Sequence, residues 1–226
     1  MRDAIIWQDL SGYETVKFGP YEWLVLDRNK KGTLLITKEG ISARPYHDKS
    51  EGVTWKNCSL RKWLNGEFLN RFTDAERARM LKRRVKNHDN PCHETPAGND
   101  TRDRVFLLSI EEAGQYFEYD GNRICKPEKG AVAKGVYVAE GACFWWLRSP
   151  GVSSDYAAGV FNDGSINCFG YRVCISNNAV RPAMWVNNQE FNDTIEKRKS
   201  VILLQYDKEF GAVIVPKEYK DFWDEL

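Results

Sequence analysis

The alternation of hydrophobic and polar residues predicts that the chain opens with a β-hairpin. Residues 21–27 and 33–37 are rich in branched and aromatic side chains and flank the polar segment 28–32, which ends in Gly32. Two apolar runs separated by a short polar segment with a glycine are typical of paired antiparallel strands. The next stretch, residues 41–56, shows no clear periodicity and is expected to be irregular.

Two helices are predicted after this irregular stretch. The first begins near Asn57, and the second begins at Thr73, where Glu76 follows at the spacing of a capping box. In a capping box, the hydroxyl and the carboxylate accept hydrogen bonds from free amides at the start of a helix. The apolar face of the first helix comprises Leu60, Trp63, Leu64 and Phe68.

A short buried strand at residues 105–108 is expected to precede a third helix. Ser109 and Glu112 form a second capping box, and the helix is expected to run to about Phe117. The turn-rich segments 86–104 and 120–142 are expected to be surface loops.

The densest run of aromatic residues and turns lies between Phe144 and Val186. It opens with Phe-Trp-Trp-Leu-Arg-Ser-Pro-Gly and is expected to organise one soluble, compact domain. Strand-like stretches are predicted at residues 156–161, 166–169 and 173–176, with turns at residues 162–165 and at Gly170.

The hairpin around Asp163 and Gly164 has two possible registers. The Asp-Gly pair supplies the positive φ angles that a tight turn demands. A two-residue turn places Phe161 opposite Ile166, whereas a three-residue turn with a bulge places Val160 there. The two registers differ by one residue, so they decide which side chains face solvent.

The composition changes after residue 187, where the chain becomes polar and charged. We therefore divide the chain into a domain over residues 1–187 and an extension over residues 188–226. The extension carries a second hairpin pattern, at residues 201–206 and 212–215. This hairpin is expected to pack on the domain or to form an interface, since an unpaired strand edge invites pairing.

The charge balance argues against a nucleic-acid or membrane-surface partner. The chain has 33 Lys and Arg against 32 Asp and Glu, a net charge of +1, so no strong field surrounds it. No apolar run approaches the roughly 20 residues that cross a bilayer. The N-terminal segment is charged and its apolar run is too short for the core of a signal peptide. As written, the chain is expected to have no membrane span and either to stay in the cytosol or to be a mature fragment whose leader was cut away.

Aromatic residues and cysteines are the distinctive part of the composition. Eight tryptophans, ten tyrosines and eleven phenylalanines are expected to serve mainly the core, with some left for a binding face. The six cysteines form no C-x-x-C pair and are irregularly spaced. They are predicted to be buried or free thiols rather than a disulfide framework.

Three motifs occur in order along the chain. They are Val-Thr-Trp-Lys-Asn-Cys-Ser-Leu-Arg-Lys-Trp-Leu-Asn at 53–65, Trp-Trp-Leu-Arg-Ser-Pro-Gly at 145–151, and Asn-Asp-Gly at 162–164 followed by Val-Arg-Pro-Ala at 180–183. Together they resemble an uncharacterised bacterial domain family (domain of unknown function 6273), common in gut Firmicutes and their mobile elements. The resemblance covers about residues 15–187.

This family resembles a branch of the C-type-lectin-like fold. It is similar to the formylglycine-generating, or sulfatase-modifying, domains and to the variable proteins of diversity-generating retroelements. The resemblance implies an α+β domain with small twisted antiparallel sheets, two to three helices and long loops. In the variable proteins, loops near the C-terminus are mutagenised to make new binding surfaces. Variable segments usually end the protein, whereas about forty residues follow here, which favours a constant member.

The residues that match this loop region are the predicted binding surface. Tyrosine, asparagine and serine suit adaptable recognition, because they combine rigid aromatic area with short hydrogen-bonding groups. We predict Tyr156, Phe161, Phe169 and Tyr171 as anchors. The full predicted ligand-binding set is Ser153, Ser154, Asp155, Tyr156, Phe161, Asn162, Asn167, Phe169, Tyr171, Ser176, Asn177 and Asn178.

Trp145, Trp146, Arg148 and Arg181 allow two interpretations. They would form a ligand cleft if both guanidinium groups gripped a carboxylate or phosphate. They would instead be scaffold if the tryptophans packed in the core and each arginine held loop carbonyls. We predict the structural role, because arginine beside proline in tight turns commonly binds carbonyls that would otherwise be buried unpaired.

No metal site or cofactor is predicted. His88, Cys92, His93 and Glu94 carry metal-ligand atoms, but a zinc site needs a second pair of ligands placed elsewhere, and none is evident. Calcium needs six or more oxygen ligands. The Glu-Pro-Asn or Gln-Pro-Asp and Trp-Asn-Asp triplets of calcium-dependent sugar-binding lectins are absent.

The sequence favours binding over catalysis. An oxidase of the formylglycine-generating type is the alternative, and it needs two cooperating cysteines, for which Cys168 and Cys174 are the candidates. If Ile166 and Val173 both point inward, these cysteines lie on opposite faces and do not cooperate.

A hydrolase is disfavoured as well. The three histidines, His47, His88 and His93, lie in predicted loops with no matching nucleophile motif. We therefore predict no catalytic residues and a recognition module for a protein or glycan ligand.

Overall fold

The computed structural model describes Trp7, Gln8 and residues 12–188. Apart from Asn188, these residues belong to one compact unit that runs from Ala4 to Asn187. The hairpin predicted at residues 201–215 lies outside the described residues, as does the rest of the extension beyond Asn188.

The described residues form fifteen short strands. Most are two to seven residues long, as expected where apolar runs are interrupted by polar turn residues. In chain order they are β1 Trp7–Gln8, β2 Glu14–Phe18, β3 Tyr21–Asn29, β4 Gly32–Thr37, β5 Ser42–Ala43, β6 Arg83–Val85, β7 Thr101–Asp103, β8 Val105–Phe106, β9 Val138–Ala139, β10 Ala142–Cys143, β11 Trp145–Pro150, β12 Tyr156–Val160, β13 Ile166–Arg172, β14 Ala179–Val180 and β15 Ala183–Val186.

Four short α-helices and two 3-10 turns connect these strands in the described part of the chain. The first helix begins two residues after the predicted start, because Cys58 caps it: its Sγ accepts a hydrogen bond from Arg61 N at 3.4 Å. The helices are α1 Ser59–Leu64, α2 Asp74–Arg79, α3 Ile110–Tyr116 and α4 Asp120–Arg123, and the 3-10 turns are Leu69–Arg71 and Val132–Lys134.

Both predicted capping boxes are confirmed. Thr73 N donates to Glu76 Oε2 at 2.7 Å, and Glu76 N donates back to Thr73 Oγ1 at 3.3 Å. Ser109 and Glu112 make the same reciprocal pair, with both bonds at 3.1 Å. These local hydrogen bonds satisfy amides that have no partner within the helix, which is why the sequence alone located both starts.

The strands assemble into a six-stranded sheet, a five-stranded sheet and two two-stranded sheets. The six-stranded order is β1-β2-β3-β4-β15-β8, and the five-stranded order is β13-β12-β11-β14-β5. Every strand pair is antiparallel except β11 with β14, where Trp145 pairs with Ala179 in parallel. The described residues therefore form a mixed α+β domain built mostly of small antiparallel sheets, which confirms the predicted class at that level.

The first hairpin forms as predicted, with longer strands. Asn29 pairs with Gly32, so the turn consists of two residues rather than five. The Asn29 side chain stabilises it by accepting a hydrogen bond from Lys31 N at 2.9 Å. A bulge between Val25 and Asp27 shifts the register within β3.

The second hairpin resolves the register left open by the sequence. Val160 pairs with Ile166, and Phe161 N donates to Ser165 O at 2.9 Å, so the turn has three residues and a bulge. Gly164 occupies the left-handed position at φ 87°.

The predicted turn at Gly170 is wrong, as is the strand predicted at residues 173–176. Strand β13 continues through Gly170 to Arg172, and the chain turns after it. Gly170 is part of a bulge, at φ 79°, where a Cβ would lie 2.2 Å from Ala157 O. The glycine thus marks close contact between two strands rather than a chain reversal.

The surface loops predicted at 86–104 and 120–142 contain more structure than expected. Residues 101–103 form β7, which pairs with β6, and the second segment holds α4 and the β9–β10 hairpin. These pieces are two to four residues long, too short for a periodic pattern to reveal them.

The core is aromatic. Trp23, Trp55, Trp145 and Trp146 are each at most 1% exposed. Their indole N–H groups are satisfied, as in the bond from Trp23 Nε1 to Phe18 O at 2.8 Å. Burying rings of this size stabilises a domain whose helices are short and whose sheets are small.

Candidate functional site

Two adjacent tryptophans direct their side chains to opposite faces of the five-stranded sheet. Trp145 Nε1 donates to Arg123 O at 3.1 Å, whereas Trp146 Nε1 donates to Arg44 O at 2.8 Å. Because side chains alternate along a strand, Phe144 lies on the same face as Trp146. This face carries aromatic residues from three parts of the chain.

Four aromatic side chains cluster on that face and form what we call the aromatic surface: Tyr137, Phe144, Phe161 and Tyr171. The Phe144 ring centroid lies 5.4 Å from Tyr137, 5.7 Å from Phe161 and 6.0 Å from Tyr171. Phe161 and Tyr171 lie 6.1 Å apart at an interplanar angle of 82°. Tyr137 is 51% exposed, and the other three are half-buried.

The loops around the aromatic surface are joined by one backbone hydrogen bond and one bond from a side chain to the backbone. Tyr137 N donates to Asn177 O at 2.9 Å, and Asn162 Nδ2 donates to Ala139 O at 3.4 Å. The loop that carries Tyr137 therefore contacts both the turn after β12 and the segment before β14. These contacts fix the aromatic rings on a supported framework.

The aromatic surface has little charge of its own. Burial raises the pKa of the Tyr171 phenol, and a hydrogen bond from Asn167 partly offsets that effect. The phenol stays protonated at neutral pH as a result. At the rim, the Ser165 hydroxyl and amide hold the pKa of Asp163 below its usual value.

The predicted binding residues fall into separate places. Phe161, Asn162, Tyr171 and Asn177 lie in or beside the aromatic surface, and Ser176 is exposed next to Asn177 in sequence. Next to these predicted residues, the structure also places Tyr137 and Phe144, two aromatic residues that were not predicted from the sequence.

Tyr156 and Phe169 form a second cluster. Their ring centroids are 5.7 Å apart, and His93 lies 6.0 Å from Phe169. Tyr156 and Phe161 are five residues apart along one strand, so their side chains point to opposite faces. The four predicted anchors therefore do not make one continuous surface.

Two predicted polar contacts are turned inward. Asn167 is 8% exposed, and its Oδ1 accepts from Gly170 N at 2.9 Å, so the side chain braces the bulge. Asn178 is 4% exposed. Both side chains, predicted as polar contacts to ligand, are therefore buried in this structure.

The remaining predicted residues lie in the loop before β12. Ser153 Oγ donates to Asp155 Oδ1 at 2.6 Å, which lowers the pKa of Asp155. Ser154 is exposed, and its carbonyl accepts from Val53 N at 2.9 Å. This loop is held against the segment that precedes α1.

The two arginines predicted to be structural are buried and donate mainly to carbonyls. Arg148 donates to Leu107 O and Lys86 O, both at 2.8 Å. Arg181 Nε donates to Thr37 O at 2.9 Å, and its guanidinium lies 5.0 Å from the Trp145 ring centroid. Both charges thus fix loops and strand ends, and Arg148 also pairs with Glu112 at 2.9 Å.

Cys168 has a different cysteine neighbour from Cys174, the other candidate that an oxidase would need. Cys92, rather than Cys174, is the cysteine that raises the pKa of the Cys168 thiol, and Asn90 bonds to the backbones of both Cys92 and Cys168. In the described part of the chain, no three His, Cys, Asp or Glu side chains come together as a group able to hold a metal ion. Among the helices of the described residues, none is both long and apolar enough to cross a bilayer.

Tyr137 and Phe144 were missed because neither has a strong local signal. Phe144 stands two residues before Trp146, and this spacing would have placed both on one face of a strand. Tyr137 lies in a glycine- and lysine-rich loop, so only its long-range bond to Asn177 brings it to the site.

The fold and the site define a mixed α+β domain with an aromatic patch on one face of the small five-stranded sheet. The model of the family described as Domain of unknown function (DUF6273) matches residues 31–188, more than half of the chain. The chain belongs to this family. No curated protein and no solved structure matches the chain.

Proposed function

We propose that the domain is a recognition module that binds a macromolecular ligand through the aromatic surface. One observation carries this proposal: four aromatic rings contact each other while remaining partly open to solvent. Burying exposed apolar surface against a partner lowers the free energy by roughly 25 cal/mol per Å² removed from water. Contiguous exposed patches of this kind mark interaction sites.

A macromolecular partner fits the surface better than a small molecule does. Small-molecule sites are concave, whereas these rings belong to a sheet face and its loops. Depressions of about 180 and 380 Å³ occur elsewhere, the larger one bounded by Arg44, Trp63 and Glu67. The polar groups at the rim, from Asn162 and Asn177, suit the edge of such an interface.

A protein ligand is favoured over a glycan. Phe144, Phe161 and Tyr171 meet edge to face, at angles of 81°, 90° and 82°, so each ring covers part of another. Stacking of a sugar needs an open ring face, whereas a protein side chain packs against interlocked edges.

We further infer that the fold is a C-type-lectin-like one, with kinship to sulfatase-modifying domains and to the variable proteins of diversity-generating retroelements. Support comes from the small antiparallel sheets, the long loops and the central position of the Trp-Trp-Leu-Arg-Ser-Pro strand, β11. A reverse-transcriptase gene and a near-copy of the codons for residues 145–180 in neighbouring DNA would identify a diversified receptor. Without them, the domain is a constant binder.

The binding proposal is tested by capturing partners from the native organism, identifying them by mass spectrometry and measuring each affinity with purified components. Tyr137→Ala and Tyr171→Ala should each weaken binding by tenfold or more. Tyr156→Ala, which removes an equal ring from the opposite face, is the matched control and should leave the affinity within about twofold.

The same variants are applied to a glycan array. Tyr137-dependent binding to an array sugar would replace the protein ligand by a glycan while keeping the site. Equal affinities for all three alanine variants and the unchanged chain would contradict the proposed surface, provided their melting temperatures agree.

A further inference from the structure

We propose that Cys92 and Cys168 are a redox-active pair that small disulfides such as oxidised glutathione convert into an intramolecular disulfide. The pair is separate from the aromatic surface and does not depend on the binding proposal. It joins the loop before β7 to the bulge of β13, two segments far apart in sequence.

One buried side chain fixes the two cysteines relative to each other. Asn90 Nδ2 donates to Cys168 O at 2.8 Å, while Asn90 Oδ1 accepts from Cys92 N at 2.8 Å. The same carboxamide also donates to Pro150 O at 2.8 Å and accepts from His93 N at 3.2 Å. Since Asn90 is only 1% exposed, both cysteine backbones are held against a rigid support.

The ring contacts give a second, independent measure of this proximity. His93 follows Cys92 and Phe169 follows Cys168, and their ring centroids lie 6.0 Å apart. The Cys92 thiol also raises the pKa of the Cys168 thiol, as expected of neighbouring sulfurs. A disulfide needs its Cβ atoms about 3.5–4.5 Å apart, so the proposal requires the two anchored segments to bring the cysteines to that separation.

Access distinguishes this pair from the other neighbouring thiols. Cys92 is exposed and Cys168 half-buried, so a dissolved oxidant reaches them. Cys125 and Cys143 are also close together, but both are buried, and Cys143 Sγ lies 3.1 Å from Cys125 O. A reagent the size of glutathione reaches only the first pair without unfolding the chain.

The reaction proceeds in two thiol–disulfide exchanges. The Cys92 thiolate attacks one sulfur of oxidised glutathione, forming a mixed disulfide and releasing one glutathione thiolate. The Cys168 thiolate then attacks the Cys92 sulfur and releases the second. In sum, two cysteine S–H bonds and one S–S bond break, one protein S–S bond forms, and two protons and two electrons end on two molecules of reduced glutathione.

The order of attack follows from the surroundings of each sulfur. Burial and the neighbouring Cys92 raise the pKa of the Cys168 thiol to about 12, so Cys168 stays protonated at first. Once Cys92 carries glutathione, its thiol no longer adds to the raised pKa of Cys168, and burial is the main cause that remains. The second step therefore becomes easier after the first.

The test equilibrates the purified full chain with a series of oxidised-to-reduced glutathione ratios, quenches it with acid and maps cysteines by mass spectrometry. The expected product has lost two hydrogens, links the Cys92 and Cys168 peptides, and reverts with dithiothreitol. Cys168→Ser should instead accumulate glutathione on Cys92, because the resolving thiol is gone.

Cys174→Ser removes a half-exposed thiol from the same region and should leave the 92–168 link unchanged. The proposal is overturned if no link forms at any ratio, if the link joins other cysteines, or if Cys92→Ser still loses two hydrogens. Near-ultraviolet circular dichroism of each variant shows whether the fold is kept. Because no partner is needed, the result does not depend on the binding proposal.

Discussion

Arg148 Nη2 donates to Glu112 Oε1 at 2.9 Å, so a guanidinium in the central strand β11 pairs with the carboxylate that caps α3. Arg148 is 2% exposed, and the same side chain donates to the carbonyls of Leu107 and Lys86. Glu112 also accepts from Ser109 N at 3.1 Å. The side chains of this ion pair therefore connect the start of α3, the strand β11 and the segments that carry Leu107 and Lys86.

Removing this guanidinium is expected to destabilise the domain strongly. Arg148→Ala should lower the free energy of unfolding by about 3–5 kcal/mol, because it leaves buried carbonyls without a donor and removes the cation that pairs with Glu112. Arg148→Lys should recover little, since an ammonium does not reproduce the fork of donors. Urea unfolding followed by tryptophan fluorescence measures both.

The control is the exposed pair of Arg172 and Asp155, whose closest atoms are 3.5 Å apart. Arg172→Ala should cost less than about 1 kcal/mol, because exposed ion pairs are screened by water. Equal losses for Arg148→Ala and Arg172→Ala would show that burial of the first pair has no energetic consequence.

Two glycines are predicted to respond to alanine in opposite directions. At Gly164, φ is 87° and a Cβ would lie 1.8 Å from Asp120 O, so Gly164→Ala should cost about 2 kcal/mol or more. Gly114 is exposed within α3 and has no atom within 4 Å of an added Cβ. Gly114→Ala should therefore raise the free energy of unfolding by about 0.5–1 kcal/mol.

Thermal unfolding of both variants checks the pair. A melting temperature that falls for Gly114→Ala would mean that α3 does not have the helical backbone described, whereas an unchanged value for Gly164→Ala would contradict the close contact with Asp120.

The turn between β9 and β10 offers a stabilising change. Glu140 and Gly141 have φ values of 52° and 81°, the pattern of a two-residue hairpin turn, and Glu140 is one of two non-glycine residues with positive φ in the described chain. Glu140→Asn should raise the free energy of unfolding by roughly 0.5–1 kcal/mol, because asparagine adopts this conformation more readily.

Glu140→Ala is the matched control for this turn. It removes the same carboxylate but keeps a Cβ that disfavours positive φ, so no gain is expected from it. Chemical denaturation compares the two variants, and a gain of equal size in both would assign the effect to charge rather than to backbone conformation.

Because the Cys58 thiol is buried, we expect the domain to lose stability at alkaline pH. Burial raises its pKa from about 9 to about 12. The unfolded chain therefore releases this proton at a lower pH than the folded chain does. The contribution of Cys58 is complete below pH 9 and is lost as pH rises from 9 towards 12, by at most about 1.4 kcal/mol per pH unit.

Cys58→Ser keeps a capping side chain and removes the titration. Its free energy of unfolding, measured by urea between pH 7 and 10.5, should fall less steeply above pH 9 than that of the unchanged chain. Cys174→Ser, at a half-exposed position, should follow the unchanged chain. Parallel slopes for Cys58→Ser and the unchanged chain would contradict the raised pKa.

Local hydrogen bonding explains what the sequence predicted well. The starts of α2 and α3 depend on Thr73 with Glu76 and on Ser109 with Glu112, which are three residues apart in the chain. The hairpin of β3 and β4 likewise depends on neighbouring residues. The family resemblance is also confirmed, over residues 31–188.

The candidate site depended on long-range geometry. The predicted anchors Phe161 and Tyr171 meet each other, but Tyr156 lies on the other face of the same strand. Tyr137 joins them through a hydrogen bond to Asn177, forty residues along the chain. A pattern of residue types shows which side chains suit binding, but not which of them share a face.

By itself, the sequence determined the mixed α+β class and the starts of α2 and α3, because these follow from short-range periodicity and capping. The tertiary structure alone decided the register of the β12–β13 hairpin and the bulge at Gly170. It also decided that Cys92, rather than Cys174, lies beside Cys168. Strand pairing and side-chain proximity are set by packing between distant segments, which no local pattern encodes.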